Sequence, residues 1–156
     1  MSSGSLLQEI PFTYGIPFRS GRLYEVGLRT VPHSNWLRDL PGAHRLVQTL
    51  LQGELLGRYE LLDFLIWPEG TFLRVRLPQD LSEFLRFLKD RSVPAGELPQ
   101  AYWDDELQWL RLIPEDKVAD STNRFLETCG KIREQAENSK GSEPNLFFYY
   151  RNERLV

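Results

Sequence analysis

The sequence predicts an α+β fold built on one antiparallel sheet, and three observations carry that prediction. Two apolar-rich stretches meet at Trp67-Pro68-Glu69-Gly70, a junction short enough for a hairpin turn. Apolar stripes at helical spacing flank that pair, over residues 39–57 and 79–92. The resulting order is strand, helix, strand, strand, helix, strand. This is the split βαβ or ferredoxin-like pattern, an antiparallel sheet with helices on one face and the other face available. A doubly wound sheet would place a helix after every strand, and the direct strand-to-strand step at Pro68–Gly70 argues against it.

Residues 1–21, rich in Ser, Gly and Pro, read as an irregular arm ahead of a single domain over residues 22–140. Leu23–Thr30 alternates, with Tyr24, Val26 and Leu28 on one face and Glu25, Gly27 and Arg29 on the other, so a half-buried strand is expected. In the stretch DLPGAHRLVQTLLQGELLG, residues Ala43, Leu46, Val47, Leu50 and Leu51 form one helical stripe that ends at Gly53 or Gly57. The hairpin Tyr59–Leu77 follows. Gln79–Ser92 is the next helix, with Leu81, Phe84, Leu85 and Leu88 along one side. Pro94, Gly96 and Pro99 mark a loop, and Leu107–Ile113 alternates as a fourth strand. Pro114 suits the first position of a helix whose Glu115 and Asp116 complement the N-terminal dipole. That helix runs to about Asn138 with Val118, Thr122, Phe125, Cys129 and Ile132 inward. Residues 141–156 read as linker and a closing aromatic strand, part of the sheet or of a dimer contact.

Composition narrows the function classes. A chain of 156 residues with 41% hydrophobic and 12% aromatic content can bury its own core. Its net charge of -3 is not the basic balance usual for nucleic-acid binders. Residues 1–92 nevertheless carry eleven basic side chains against ten acidic ones, and ten of the eleven are arginine, the residue suited to phosphate and carboxylate forks. From residue 93 the balance is eight against twelve. Cys129 is the single cysteine, which excludes an intramolecular disulfide and a cysteine metal cage. The start MSSGSLLQEIPF lacks the pattern of a signal peptide, and no run reaches the roughly 20 apolar residues of a membrane span. A cytoplasmic protein with no membrane role is expected.

Candidate chemistry is sparse. His33 and His44 have no partner ligand at strand or helix spacing, so no metal site is expected. Asp104, Asp105 and Glu106 diverge on an extended chain and read as a solvated loop rather than an acid–base or magnesium site. No nucleophile elbow or glycine-rich phosphate loop is present, and no cofactor is expected. Trp67, Trp103, Trp109 and Phe147–Tyr150 read as core plus one strand edge, with a dimer contact as the sharper alternative. On the second strand of the hairpin, Phe72, Arg74 and Arg76 face away from Leu73, Val75 and Leu77. With Arg29 they form a candidate surface for nucleic acid. The alternative is a set of arginines paired with Glu25 or Asp63. The run Gly70-Thr71-Phe72-Leu73-Arg74-Val75-Arg76 matches the RNA-recognition motif only loosely, with arginine where its last aromatic should stand.

The element order, together with LLDFLIWPEGTFLRVRLPQDLSEFL, resembles the single-tyrosine transposases of the IS200 and REP-associated type over about residues 22–135. In that family a hairpin like M-P-N-H-x-H-L-L puts two histidines on one strand face, where they hold a divalent metal. A tyrosine on a later helix, often in R-Y-I after a W…I-R segment, attacks the phosphorus. Trp67-Pro68-Glu69-Gly70-Thr71-Phe72-Leu73 matches the hairpin, Trp103 and Leu112-Ile113 echo the segment before the helix, and Arg124-Phe125-Leu126 falls on R-Y-I. The resemblance thus places Gly70 and Phe72 at the histidine positions and Phe125 at the nucleophile. None of the three offers a ligand or an attacking oxygen.

A degenerate member, a pseudoenzyme on the transposase IS200-like fold, is what the resemblance implies. Its expected role is binding single-stranded or hairpin DNA or RNA as a homodimer, through phosphate contacts from Arg29, Arg74 and Arg76 and stacking on Phe72. Tyr102, Tyr149 and Tyr150 carry phenols, but no ligand pair accompanies them. A protein–protein interaction module with no nucleic-acid role is the alternative, and an enzyme with an unrecognised site ranks last.

Overall fold

The computed structural model describes residues 21–32, 34, 36–78, 80–105, 107–138 and 147–152. Residues 1–20 of the arm expected over 1–21, together with His33, Glu106 and the polar linker, lie outside the described residues. Strand β1 (Arg22–Arg29), helix α1 (Leu40–Leu55), strands β2 (Glu60–Trp67) and β3 (Gly70–Leu77), helix α2 (Leu81–Ser92) and strand β4 (Trp109–Ile113) follow in the expected order. Helix α3 (Val118–Asn138) and strand β5 (Phe148–Arg151) complete it. The strands form one five-stranded antiparallel sheet in the order β4-β1-β3-β2-β5. The first four have the split βαβ arrangement, and β5 adds to the outer side of β2.

Local chemistry sets the element ends. Helix α1 stops at Gly57, whose φ of 77° is the left-handed conformation that glycine adopts without Cβ strain. The N–H of Arg58 reaches the Gly53 carbonyl at 3.0 Å and that of Gly57 reaches Glu54 at 3.0 Å, the paired bonds of a Schellman ending. Helix α2 starts at Asp80, whose carboxylate accepts the Glu83 N–H at 2.9 Å. In the β2–β3 hairpin Trp67 pairs with Gly70, leaving Pro68 and Glu69 as the two turn residues. A shift of register at Leu61–Asp63 turns Leu61 to the same side as Phe64 and Ile66.

Helices α1 and α2 cover one face of the sheet. Leu46, Leu50, Phe84 and Leu88 pack there on Val26, Leu28, Phe64, Leu73 and Val75. The other face, expected to be available, is covered by α3. Phe125, Cys129 and Ile132 pack on Leu65, Trp67 and Phe72. The reason is the helix's own stripe: an amphipathic face must be buried, and α1 and α2 already occupy the first side. Among the described residues no helix is long and apolar enough to cross a membrane.

Candidate functional site

The sheet face beneath α3 is organised in rows set by strand register. One row runs Arg111, Glu25, Arg74, Asp63, Arg151 across β4, β1, β3, β2 and β5, alternating in charge from edge to edge. The next is Trp109, Gly27, Phe72, Leu65, Tyr149, which is apolar apart from its ends. Beyond it stand Arg29, Gly70 and Trp67. Period-two alternation therefore does place Arg29, Gly70, Phe72, Arg74 and Arg76 on one face, as the sequence implies. Exposure is the point on which the structure differs.

Arg74 is 0% exposed and Phe72 only 2%, so neither presents a surface to a partner in this conformation. The Arg74 guanidinium donates from Nε to Asp63 Oδ1 at 2.9 Å and from Nη2 to Oδ2 at 2.7 Å, the bidentate fork of an arginine–carboxylate pair. Its Nη1 donates to Ser121 Oγ at 2.7 Å and Thr122 Oγ1 at 3.0 Å on α3. Those hydroxyls in turn donate to the Val118 carbonyl. Arg74 thus ties β3, β2 and α3 together, as the alternative reading of paired arginines expected for Asp63. The Asp63 carboxyl is pushed above its ordinary range by burial, against the pull of Arg74 and Arg151.

The other two arginines of the expected surface stand apart. Arg76 donates to Glu115 Oε2 at 2.8 Å and to the Gly21 carbonyl, and its Nε lies 3.5 Å from Glu60. That bond holds the Glu115 carboxyl below its usual range. Arg29 lies 3.8 Å from Asp104 at the opposite end. The expected grip of Arg29, Phe72, Arg74 and Arg76 on one ligand is therefore corrected: α3 lies over the centre, and carboxylates engage the ends.

Two of the three positions drawn from the resemblance, Phe72 and Phe125, meet. The rings of Phe72 and Phe125 stack with centroids 4.7 Å apart at 14°, and Phe125 is 0% exposed. Arg74 Cζ lies 5.3 Å from the Phe125 centroid on the same helix–sheet seam. Gly70 stands two residues from Phe72, where a Cβ would overlap the Leu28 carbonyl oxygen, so the closely paired β1 backbone demands glycine. Apart from the Arg74 guanidinium, Phe72 and Phe125 pack with Leu65, Trp67, Cys129 and Ile132. Burial pushes the Cys129 thiol up to about 12. The Tyr149 phenol, in the same row as Phe72, is also raised by burial, away from ionisation. No group of three or more possible metal ligands occurs among the described residues.

Glu25, expected only as a partner for the strand arginines on an exposed face, is 1% exposed. Its Oε1 accepts the Trp109 indole N–H at 3.1 Å, and its Oε2 lies 3.9 Å from Arg124 Nε. Its place among the strand's polar positions was legible, but the α3 residue opposite it was not. His44 is exposed and meets the Phe148 ring edge-on at 5.9 Å.

No protein-family model matches the chain, and no curated protein matches it. Among solved structures it is similar to a REP-associated tyrosine transposase bound to a REP hairpin. The TM-score is 0.58 at 16% identity, over 72% of this chain and 67% of that one. At that identity the likeness is one of fold, and the chain has a transposase-like α+β architecture.

Proposed function

We propose that this chain is a catalytically inactive transposase-like domain that binds single-stranded or hairpin nucleic acid. The stack of Phe72 on Phe125 carries the reading. Two carbon-only side chains occupy positions that the resemblance gives to a metal ligand and a nucleophile, and Gly70 has no room for the second ligand. A phenyl ring can neither coordinate a metal nor attack phosphorus. The fold shared with a transposase bound to a REP hairpin supports nucleic acid as the partner. We assign the working unit as a homodimer. Among the described residues β5 has no strand on its outer side, which leaves a sheet edge for self-pairing.

The test is fluorescence anisotropy with a labelled DNA hairpin across a salt series. Binding that weakens linearly in log–log form with salt is expected. A salt-insensitive complex, or none at low salt, contradicts the reading. One observation favours the second reading, a protein-interaction module: Leu55 and Leu56 at the end of α1 are 87% and 57% exposed. Loss of all nucleic-acid binding on that outcome would leave the α1 end as the surface to probe.

A further inference from the structure

Arginine is the rule among the basic side chains of residues 1–92, and Lys89 is the one exception among the eleven. That lysine stands in a cleft of about 360 Å³ between α2 and the loop that follows it. Helix α2 lies on the sheet face opposite α3. Leu85, Leu98 and Trp103 form the apolar side of the cleft. Its walls are fixed in advance. The Trp103 indole N–H donates to Ser92 Oγ at 2.9 Å, its backbone N–H to the Pro99 carbonyl at 2.8 Å, and the Asp104 N–H to the Arg29 carbonyl at 2.9 Å. A loop held in this way loses little freedom when a ligand arrives.

The Lys89 side chain is half-buried, and its Nζ donates to the Asp104 carbonyl at 3.1 Å. Burial holds the ammonium below the ordinary lysine range, against the pull of Asp105 and Asp104. The Asp104 carboxylate is itself engaged by Arg29, 3.8 Å away. Arg86 and Asp90 are the other charged groups that line the cleft. An amine that sheds its proton more readily than an exposed lysine is a nucleophile toward carbonyl carbon, and here an apolar wall stands beside it.

We propose that Lys89 is a covalent binding site for apolar aldehydes, which it holds as an imine with their carbon body against Leu85, Leu98 and Trp103. The ammonium first sheds a proton to solvent, and the amine then forms a bond to the carbonyl carbon. The carbonyl oxygen leaves as water with one proton from the amine and one from solvent. The iminium that remains keeps an N–H for the Asp104 carbonyl. No oxidant or reductant takes part. The site is separate from the sheet face under α3 and does not depend on the nucleic-acid reading.

The experiment incubates the full chain with benzaldehyde near neutral pH, traps the imine with cyanoborohydride and maps the modified lysines by peptide mass spectrometry. Lys89 should be modified roughly tenfold faster than the exposed Lys117 and Lys131, with its rate rising at lower pH than theirs. Leu98→Ser alters the wall and leaves the amine, at a side chain that is 68% exposed. It should slow benzaldehyde several-fold at Lys89 and leave glycolaldehyde, which has no apolar body, unaffected. Lys89→Arg should show only the labelling of the other lysines. Circular dichroism checks that each variant folds. If Leu98→Ser is unfolded, the wild-type preference for benzaldehyde over glycolaldehyde at Lys89, set against that at Lys131, decides. Lys89 labelled no faster than Lys117 and Lys131, a benzaldehyde rate unchanged in folded Leu98→Ser, or equal preference at Lys89 and Lys131 overturns the inference. Hairpin binding is untouched by any of these results.

Discussion

Phe72 on β3 and Phe125 on α3 lie ring against ring, 4.7 Å apart and 14° from parallel. The contact joins residues far apart in sequence and closes the sheet face that the strand pattern leaves open. Stacked aromatics of this kind contribute about 0.5–1.5 kcal/mol beyond the area they bury. Their neighbours are Leu65, Trp67, Cys129 and Ile132, so the seam is a small core of its own.

Phe125→Tyr tests how closed that core is. The added hydroxyl would enter a site with no exposure, and an unpaired buried hydroxyl costs about 1–3 kcal/mol. Urea unfolding should show a loss of that order, with the far-ultraviolet spectrum unchanged. A variant as stable as the wild type would mean that the hydroxyl finds a partner there.

Gly70 should tolerate nothing larger. Gly70→Ala sets a Cβ against the Leu28 carbonyl oxygen, and the backbone of a paired strand cannot move aside without disturbing its ladder. We expect a loss of at least about 2 kcal/mol, larger for Gly70→His. Thermal melts of the two variants check it, and an unchanged midpoint would contradict the register of β1 on β3.

The pair Arg74 and Asp63, both without exposure, should behave as a buried ion pair. Removing Arg74 leaves the buried Asp63 carboxylate with only Arg151, 3.5 Å away, and loss of one partner of a buried pair typically costs about 3–5 kcal/mol. Arg74→Met alone should fall in that range, whereas Arg74→Met with Asp63→Leu should recover much of the loss. A double-mutant cycle by urea denaturation gives the coupling. Simple additivity of the two losses would show that the charges do not depend on each other.

Much of this was legible in the sequence. Leu23–Thr30 alternates as a strand should, the stripes of α1 and α2 carry the helical period, and Gly57 marks a helix end by residue type, whereas Asp80 caps a helix that the sequence pattern starts at Gln79. Phe72 and Arg74 were placed on the correct face but read as exposed. A lone arginine among alternating apolar residues has the same local pattern whether it meets water or an aspartate beneath a helix. The missing information was tertiary, namely where the stripe Phe125, Cys129 and Ile132 would settle. That stripe itself held the signal, because a third apolar helix face needs a sheet surface that the first two do not fill. The register shift near Leu61 is less accessible, since no residue type announces it.

Cys129 reports on α3 docking. Its thiol is raised from the ordinary 9.0 to about 12 by burial, with the nearby Asp63 charge adding to it. It should react slowly with a thiol reagent in the native chain and quickly in urea. Between those two pH values the unfolded state gives up the thiol proton while the native state keeps it. Stability therefore falls as pH rises through that window, by at most about 1.4 kcal/mol per unit. Paired urea melts of the wild type and Cys129→Ala from about pH 8 to about pH 10 should show the wild type losing more. Parallel curves would contradict the burial.

The most direct test of the central claim is a strand-cleavage assay. Purified protein is mixed with a single-stranded DNA hairpin in magnesium or manganese, and the products are resolved on a denaturing gel for nicked strands and for protein joined covalently to DNA. With Gly70, Phe72 and Phe125 at the site, the DNA should remain intact and no adduct should form. A nicked strand, or an adduct on any tyrosine, would contradict the account.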